Sequence, residues 1–131
     1  MKLLQFDKDG GEESTVYGFY IIEIKWLFSI VLLKFVGDSR EAYHSHAFNS
    51  ISWLLKGKLV EQVRMDFHDC YWRRIYNPTI KPIRTKKDDF HKVNSIGTSW
   101  VISFRGKWDK TWKESTEVDG TYELTHGRKR L

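Results

Sequence analysis

The sequence predicts an all-β domain, a sandwich or a closed barrel, and three observations carry that prediction. Apolar residues recur mostly with a period of two rather than 3.6. Turn-forming residues interrupt the chain at short intervals, at Gly10-Gly11, Gly37-Asp38, Asn77-Pro78, Gly106 and Asp119-Gly120. No segment keeps an amphipathic helical pattern over three turns. Short strands at this spacing are what a β-sandwich or barrel requires.

The elements follow in order. Tyr17–Lys25 and Phe28–Val36 are rich in Ile, Val, Leu, Phe and Tyr, which fit a pleated, half-buried surface. Ser50–Leu55 and Leu59–Met65 flank Lys56-Gly57-Lys58, which reads as the turn of a hairpin. Cys70–Tyr76, Ser99–Phe104 and Thr121–Thr125 are further strands. Trp108 and Trp112, four apart, fit one helical turn or one strand face equally well. The 131 residues make one domain over 16–125. Residues 1–15 form an N-terminal segment, loose or an edge strand, and 126–131 form a basic tail.

Composition narrows the function. Apolar residues at 40% and charged residues at 30% exclude a disordered or collagen-like chain. Cys70 is the single cysteine, so neither an intrachain disulfide nor a Cys-rich zinc site can form, and a metal would take nitrogen and oxygen ligands. His68-Asp69-Cys70 puts neighbours on opposite strand faces, the wrong spacing for a His–Cys nucleophile. His126 reads as a solvated residue beside the basic tail. The longest apolar stretch, Phe19–Val36, is cut by Glu23, Lys25 and Lys34. Its uncharged piece, Trp26–Leu33, falls well short of the ~20 residues of a spanning helix. Met1–Glu13 has no apolar leader core, so a cytoplasmic location away from membranes is expected.

The net charge of +5 is unevenly placed, at Lys81, Arg84, Lys86 and Lys87 and again at Arg128-Lys129-Arg130. Such clusters solubilise a surface or attract anions and nucleic acid. Arg84 and Lys86 precede His91 closely, and an Arg there could clamp a carboxylate or phosphate. Trp53 and Trp100 lie in strands and read as core or pocket wall. Trp108 and Trp112, beside Arg105, Lys107, Lys110 and Lys113, read as a surface where bases or nucleotides could stack.

Tyr43-His44-Ser45-His46 carries the chemistry. On a strand, residues two apart share a face, so His44 and His46 would aim two imidazoles at one point. His91, in Asp88-Asp89-Phe90-His91-Lys92-Val93-Asn94, is the candidate third ligand. Imidazole and carboxylate suit Fe(II), Mn(II), Ni(II), Zn(II) or Co(II). Asn49, Ser52, Asn94 and Tyr43 could orient such ligands.

From His46 the count to Ser50, and on to Gly57, resembles the first motif of the cupin superfamily, Gly-x5-His-x-His-x3/4-Glu-x6-Gly. His91 and Asn94 stand where the second cupin motif has its histidine and a later Asn. The chain departs from the pattern at Asp38, where the family has its first glycine, at Ser50, where it has its Glu ligand, and at Lys86 and Asp88, where it has Pro-x-Gly. Glu61 could replace the missing carboxylate: in a tight hairpin around Gly57 it would lie opposite Ser52, on the face of Ser50. The order His44-Ser45-His46-Ala47-Phe48, Ser52, Leu55-Lys56-Gly57, Glu61, Arg84, His91-Lys92-Val93, Ser99-Trp100, Phe104-Arg105-Gly106 and Trp112 is similar to that of small cupin-like proteins of tailed bacteriophages.

The resemblance implies a single cupin-like jelly-roll (double-stranded β-helix) barrel of six to ten strands. It implies a divalent metal on His44, His46 and His91, with Glu61 as fourth ligand, and pairing into a homodimer. Ser50, Ser52, Trp53, Arg84, Asn94 and Trp100 are then the expected ligand-binding residues. The leading expectation is a metal-dependent oxygenase- or isomerase-type enzyme acting on a small anionic substrate. The alternative is a non-catalytic module that captures a nucleotide-like anion or a host protein, as a phage accessory protein. A third is a structural or nucleic-acid-associated protein working through its basic patches.

Overall fold

The structure is a computed structural model that describes residues 1–9, 16–37, 43–64, 71–87, 91–116, 120–125 and 129–130. Of these, 43–44, 64, 71–72, 114–116, 120–122 and 129–130 are described by backbone alone. Cys70, His68, His126 and Arg128 lie outside the described residues. Alternating apolar sequence becomes strand throughout, and no helix occurs among the described residues. The thirteen strands among the described residues are β1 (Lys2–Lys8), β2 (Val16–Ile24), β3 (Phe28–Val36), β4 (Tyr43–His44), β5 (Ser50–Lys56), β6 (Leu59–Arg64), β7 (Tyr71–Tyr76), β8 (Ile83–Thr85), β9 (His91–Ser95), β10 (Thr98–Arg105), β11 (Thr111–Thr116), β12 (Gly120–Thr125) and β13 (Lys129–Arg130). This exceeds the six to ten expected, because pieces as short as β4, β8 and β13 carry no readable alternation.

The strands form two antiparallel sheets, ordered β1-β2-β3-β10-β5-β8 and β13-β12-β11-β4-β9-β6-β7. Phe19–Val36 is divided between β2 and β3, which pair through the Trp26–Leu27 bend. Among the described residues no helix is long and apolar enough to cross a membrane. The inward faces of both sheets pack Val16, Tyr20, Val31, Leu33, Leu54, Leu59 and Val101 into one core. Residues 2–8 form the edge of the first sheet, and Lys129–Arg130 extend the second against Leu124–Thr125. Trp112 stands on a strand, β11.

The expected hairpin at Gly57 does not form. β5 pairs with β10 and β8, whereas β6 pairs with β7 and β9, so Lys56-Gly57-Lys58 is a corner that carries the chain from one sheet to the other. Gly57 has φ +101°, and a Cβ there would lie 2.7 Å from the Ser99 Cα, so only glycine lets the corner pass over β10. Ser99 fastens it: its Oγ accepts from the Lys58 N–H at 3.0 Å and donates to the Lys58 carbonyl at 3.2 Å. The corner makes a pocket wall of both strands, one from each sheet.

Candidate metal centre and its cavity

A cavity of about 200 Å³ lies between the sheets, lined from both. At one end stands His91, the first residue of β9, 4% exposed. Its alternation with Val93 and Ser95 turns it inward, as β pleating requires. His46 reaches the same point by another route. The strand expected over His44–His46 stops at His44, and His46 lies just beyond it. There the Ser45 N–H donates to the Lys113 carbonyl at 2.9 Å and the His46 N–H to the Lys87 carbonyl at 3.1 Å.

The two imidazoles meet with Nε2 to Nε2 at 2.8 Å and rings near perpendicular, at 81°. Behind His91, Glu61 of β6 places Oε2 2.5 Å from Nδ1, and the Tyr76 hydroxyl donates to Oε1 at 2.9 Å. Burial pushes the Glu61 carboxyl up, but the hydrogen bond and charge of His91, with Tyr76 and Arg74, outweigh it and hold it below its ordinary value. Burial, aided by the Glu61 charge and opposed by Arg74, pushes the Tyr76 hydroxyl up, so it stays a donor. An ionised Glu61 keeps a proton on His91 Nδ1 and turns Nε2 toward His46.

These residues fit a metal in part. With metal–nitrogen bonds of about 2.1 Å, nitrogens this close would subtend roughly 85°, the angle of adjacent ligands in an octahedron. A carboxylate on the far nitrogen of a ligating histidine is the usual support for such a ligand. Both Glu61 oxygens are engaged by His91 and Tyr76, so in this arrangement Glu61 serves His91. His44 pairs in register with His91 across β4 and β9, but its side chain lies outside the described ones. Among the described residues, no group of three or more His, Cys, Asp or Glu could hold a metal ion.

A second polar cluster lines the same cavity. Arg105, the last residue of β10, sends Nη1 and Nη2 to the Asp9 carboxylate at 3.1 and 2.8 Å, and the Tyr20 hydroxyl donates to Asp9 at 2.6 Å. Burial would raise the Asp9 carboxyl, but Arg105 first, then Tyr20 and Lys2, hold it at about 2. The charge and hydrogen bonds of Asp9 outweigh burial and keep Arg105 protonated. The Arg105 Cζ sits 4.7 Å from the Phe48 ring centroid. Phe48, Trp108 and Trp112 follow one another with centroids 5.1 and 5.7 Å apart, forming the aromatic side of the cavity.

The expected ligand-binding residues divide. Ser50 and Ser52 line the cavity, and Ser52 Oγ donates to Ser103 Oγ at 3.0 Å. Trp53, Arg84, Asn94 and Trp100 do not line it, because each sits on the outward parity of its strand. Trp53 donates from Nε1 to the Ile80 carbonyl at 3.0 Å, Trp100 carries Lys34 over its ring, and Arg84 is exposed. Asn49 Oδ1 accepts from the Lys87 N–H at 2.8 Å. Arg105, Trp108 and Trp112, read as a cationic aromatic surface, turn inward instead. Arg105 was legible from parity: Ser99, Val101, Ser103 and Arg105 are the alternate residues of β10, and all four are buried. Asp9 and Tyr76 had no local signal, since their partners are far along the chain.

A scan with family models finds no match, and a search of curated proteins finds no relative. Solved structures do match. The polyketide cyclase RemF from Streptomyces resistomycificus superposes with a TM-score of 0.63 over 79% of this chain and 73% of its own, at 10% identity. FeII HppE superposes with a TM-score of 0.61 over 77% of this chain, at 12% identity, and this chain spans only 55% of its length. An RmlC-like cupin from Shewanella frigidimarina NCIMB 400 matches with a TM-score of 0.57 at 10% identity, over 79% of this chain and 83% of its own. At such identities the likeness is one of fold. The chain has the cupin fold, an all-β jelly roll of two antiparallel sheets.

Proposed function

We propose that the protein is a metal-dependent enzyme of the cupin type, in the oxygenase or isomerase class, acting on a small molecule held in the cavity. His46 and His91 hold the metal, with His44 as third ligand. The observation that carries this reading is the meeting of two Nε2 atoms at 2.8 Å with Glu61 behind one of them. FeII HppE, a neighbour in fold, is an iron protein by name, which supports a divalent ion of the Fe(II), Mn(II), Ni(II) or Zn(II) kind. A bound ion would supply Lewis-acid or redox chemistry at an open position. Glu61 orients His91, Tyr76 holds Glu61, and Phe48 packs against the His46 ring with centroids 5.2 Å apart. An anionic substrate would have to engage Arg105, since Arg84 faces outward. The kinship with phage proteins rests on motif order alone.

The same 2.8 Å contact favours a second reading, a metal-free acid–base site. Glu61 would then hold the proton of His91, and His46 would exchange one with the ligand. Elemental analysis of tag-free protein separates the two. About one divalent ion per chain is expected, with affinity falling at least about tenfold in His46→Ala and His91→Ala. Wild-type protein that retains no ion after incubation with each of the four metals overturns the metal reading. The acid–base or pure capture role then stands.

A further inference from the structure

We infer that the cavity admits a compact, uncharged aromatic molecule of about one substituted ring. The inference rests on the cavity being the ligand site, as proposed above, and not on the metal.

Size comes first. An apolar cavity of about 150 Å³ takes up benzene, so one of about 200 Å³ has room for a ring with a small substituent. Wall chemistry comes second. Leu33, Val101 and Val93 line it together with the aromatic run Phe48–Trp108–Trp112, which supplies ring faces and edges for a ring to pack on. Charge decides the class. Among the described lining residues the one fixed cation is Arg105; both its terminal nitrogens bond Asp9, and its Nε is buried without a partner. Phe48 covers the guanidinium. The second lining carboxylate, Glu61, is taken up by His91 and Tyr76. A carboxylate or phosphate entering the cavity would meet two carboxylates and, short of displacing Asp9, a single open guanidinium nitrogen, and a buried charge so poorly paired is costly. An uncharged ring meets neither obstacle.

The test uses the full chain, stripped of metal by a chelator, and three probes: phenol, benzoate and inorganic phosphate. Phenol is expected to raise the melting temperature by about 5 °C at saturation and to change the fluorescence of the cavity tryptophans, while benzoate and phosphate do neither. Leu33→Phe and Val101→Phe, each filling the cavity from a different strand, should abolish the phenol effect. Fluorescence on wild-type protein answers the question even if one variant folds poorly. Equal or larger stabilisation by benzoate or phosphate overturns the inference, as does no response to phenol. Metal content without phenol binding sinks this inference alone, whereas phenol binding without metal sinks only the metal reading.

Discussion

Replacing Asp9 by Asn removes one charge from the Asp9–Arg105 pair and leaves the guanidinium buried. The Asp9 carboxyl sits at about 2 in the folded protein against 3.8 ordinarily. That gap corresponds to about 2.5 kcal/mol of stability at neutral pH. The Asp9 side chain is 25% exposed and Asn can still accept one of the hydrogen bonds, so a loss of about 2 kcal/mol is the working figure. With an unfolding entropy of about 2.1 cal/mol/K per residue, a chain of this length loses roughly 7 °C in Tm. The pH dependence has a definite sign. Because folding depresses the Asp9 pKa, its contribution is complete above pH 3.8 and disappears as the pH falls through about 2. Melting curves of wild type and Asp9→Asn should therefore stand about 7 °C apart at pH 7 and converge in acid. A variant that melts within 2 °C of wild type at pH 7, or a gap that persists undiminished to the lowest pH at which both fold, refutes the reasoning.

Three further predictions follow from packing. Gly57→Ala forces a Cβ toward the Ser99 backbone at a φ of +101°, and should cost about 3 kcal/mol in urea titration; an unchanged midpoint would mean the corner can shift aside. Val31→Ala, at a wholly buried site, should cost about 2 kcal/mol by the same measurement, and a loss below ~0.5 kcal/mol would show that the core collapses onto the gap. Lys87→Met breaks an ion pair with Asp109 in which both side chains are well exposed, and should change stability by less than about 0.5 kcal/mol; a larger drop would give that pair a weight its exposure denies.

The fold was legible because pleating writes itself into alternation. Tyr17–Lys25, Phe28–Val36 and Ser99–Phe104 agree with β2, β3 and β10 to within a residue or two. The pairing was not legible. Lys56-Gly57-Lys58 looks like any hairpin turn, and only the position of Ser99, some forty residues on, makes it a corner between sheets. In the candidate site, residue type and spacing point to His91 and Glu61, which both line the cavity, though the hairpin register expected to bring Glu61 there does not occur. The corner brings it to the cavity by another path. Trp53, Arg84, Asn94 and Trp100 were placed in the pocket from chemistry alone, and strand parity turns them out. Parity also turns Arg105 in, and it is Asp9, joined to it only in three dimensions, that decides what that cation does.

Asp9 and Arg105 are 96 residues apart in sequence. At about 5–20 residues per second, the ribosome makes Asp9 wait about 5–20 s before its partner exists. In that interval β3 also lacks β10, so the growing chain offers an open, hydrogen-bond-hungry edge to its neighbours. A fold closed by its late strands in this way gains from slow, cool expression or a holdase, and yield should depend more on translation speed and temperature than on the stability of the finished molecule.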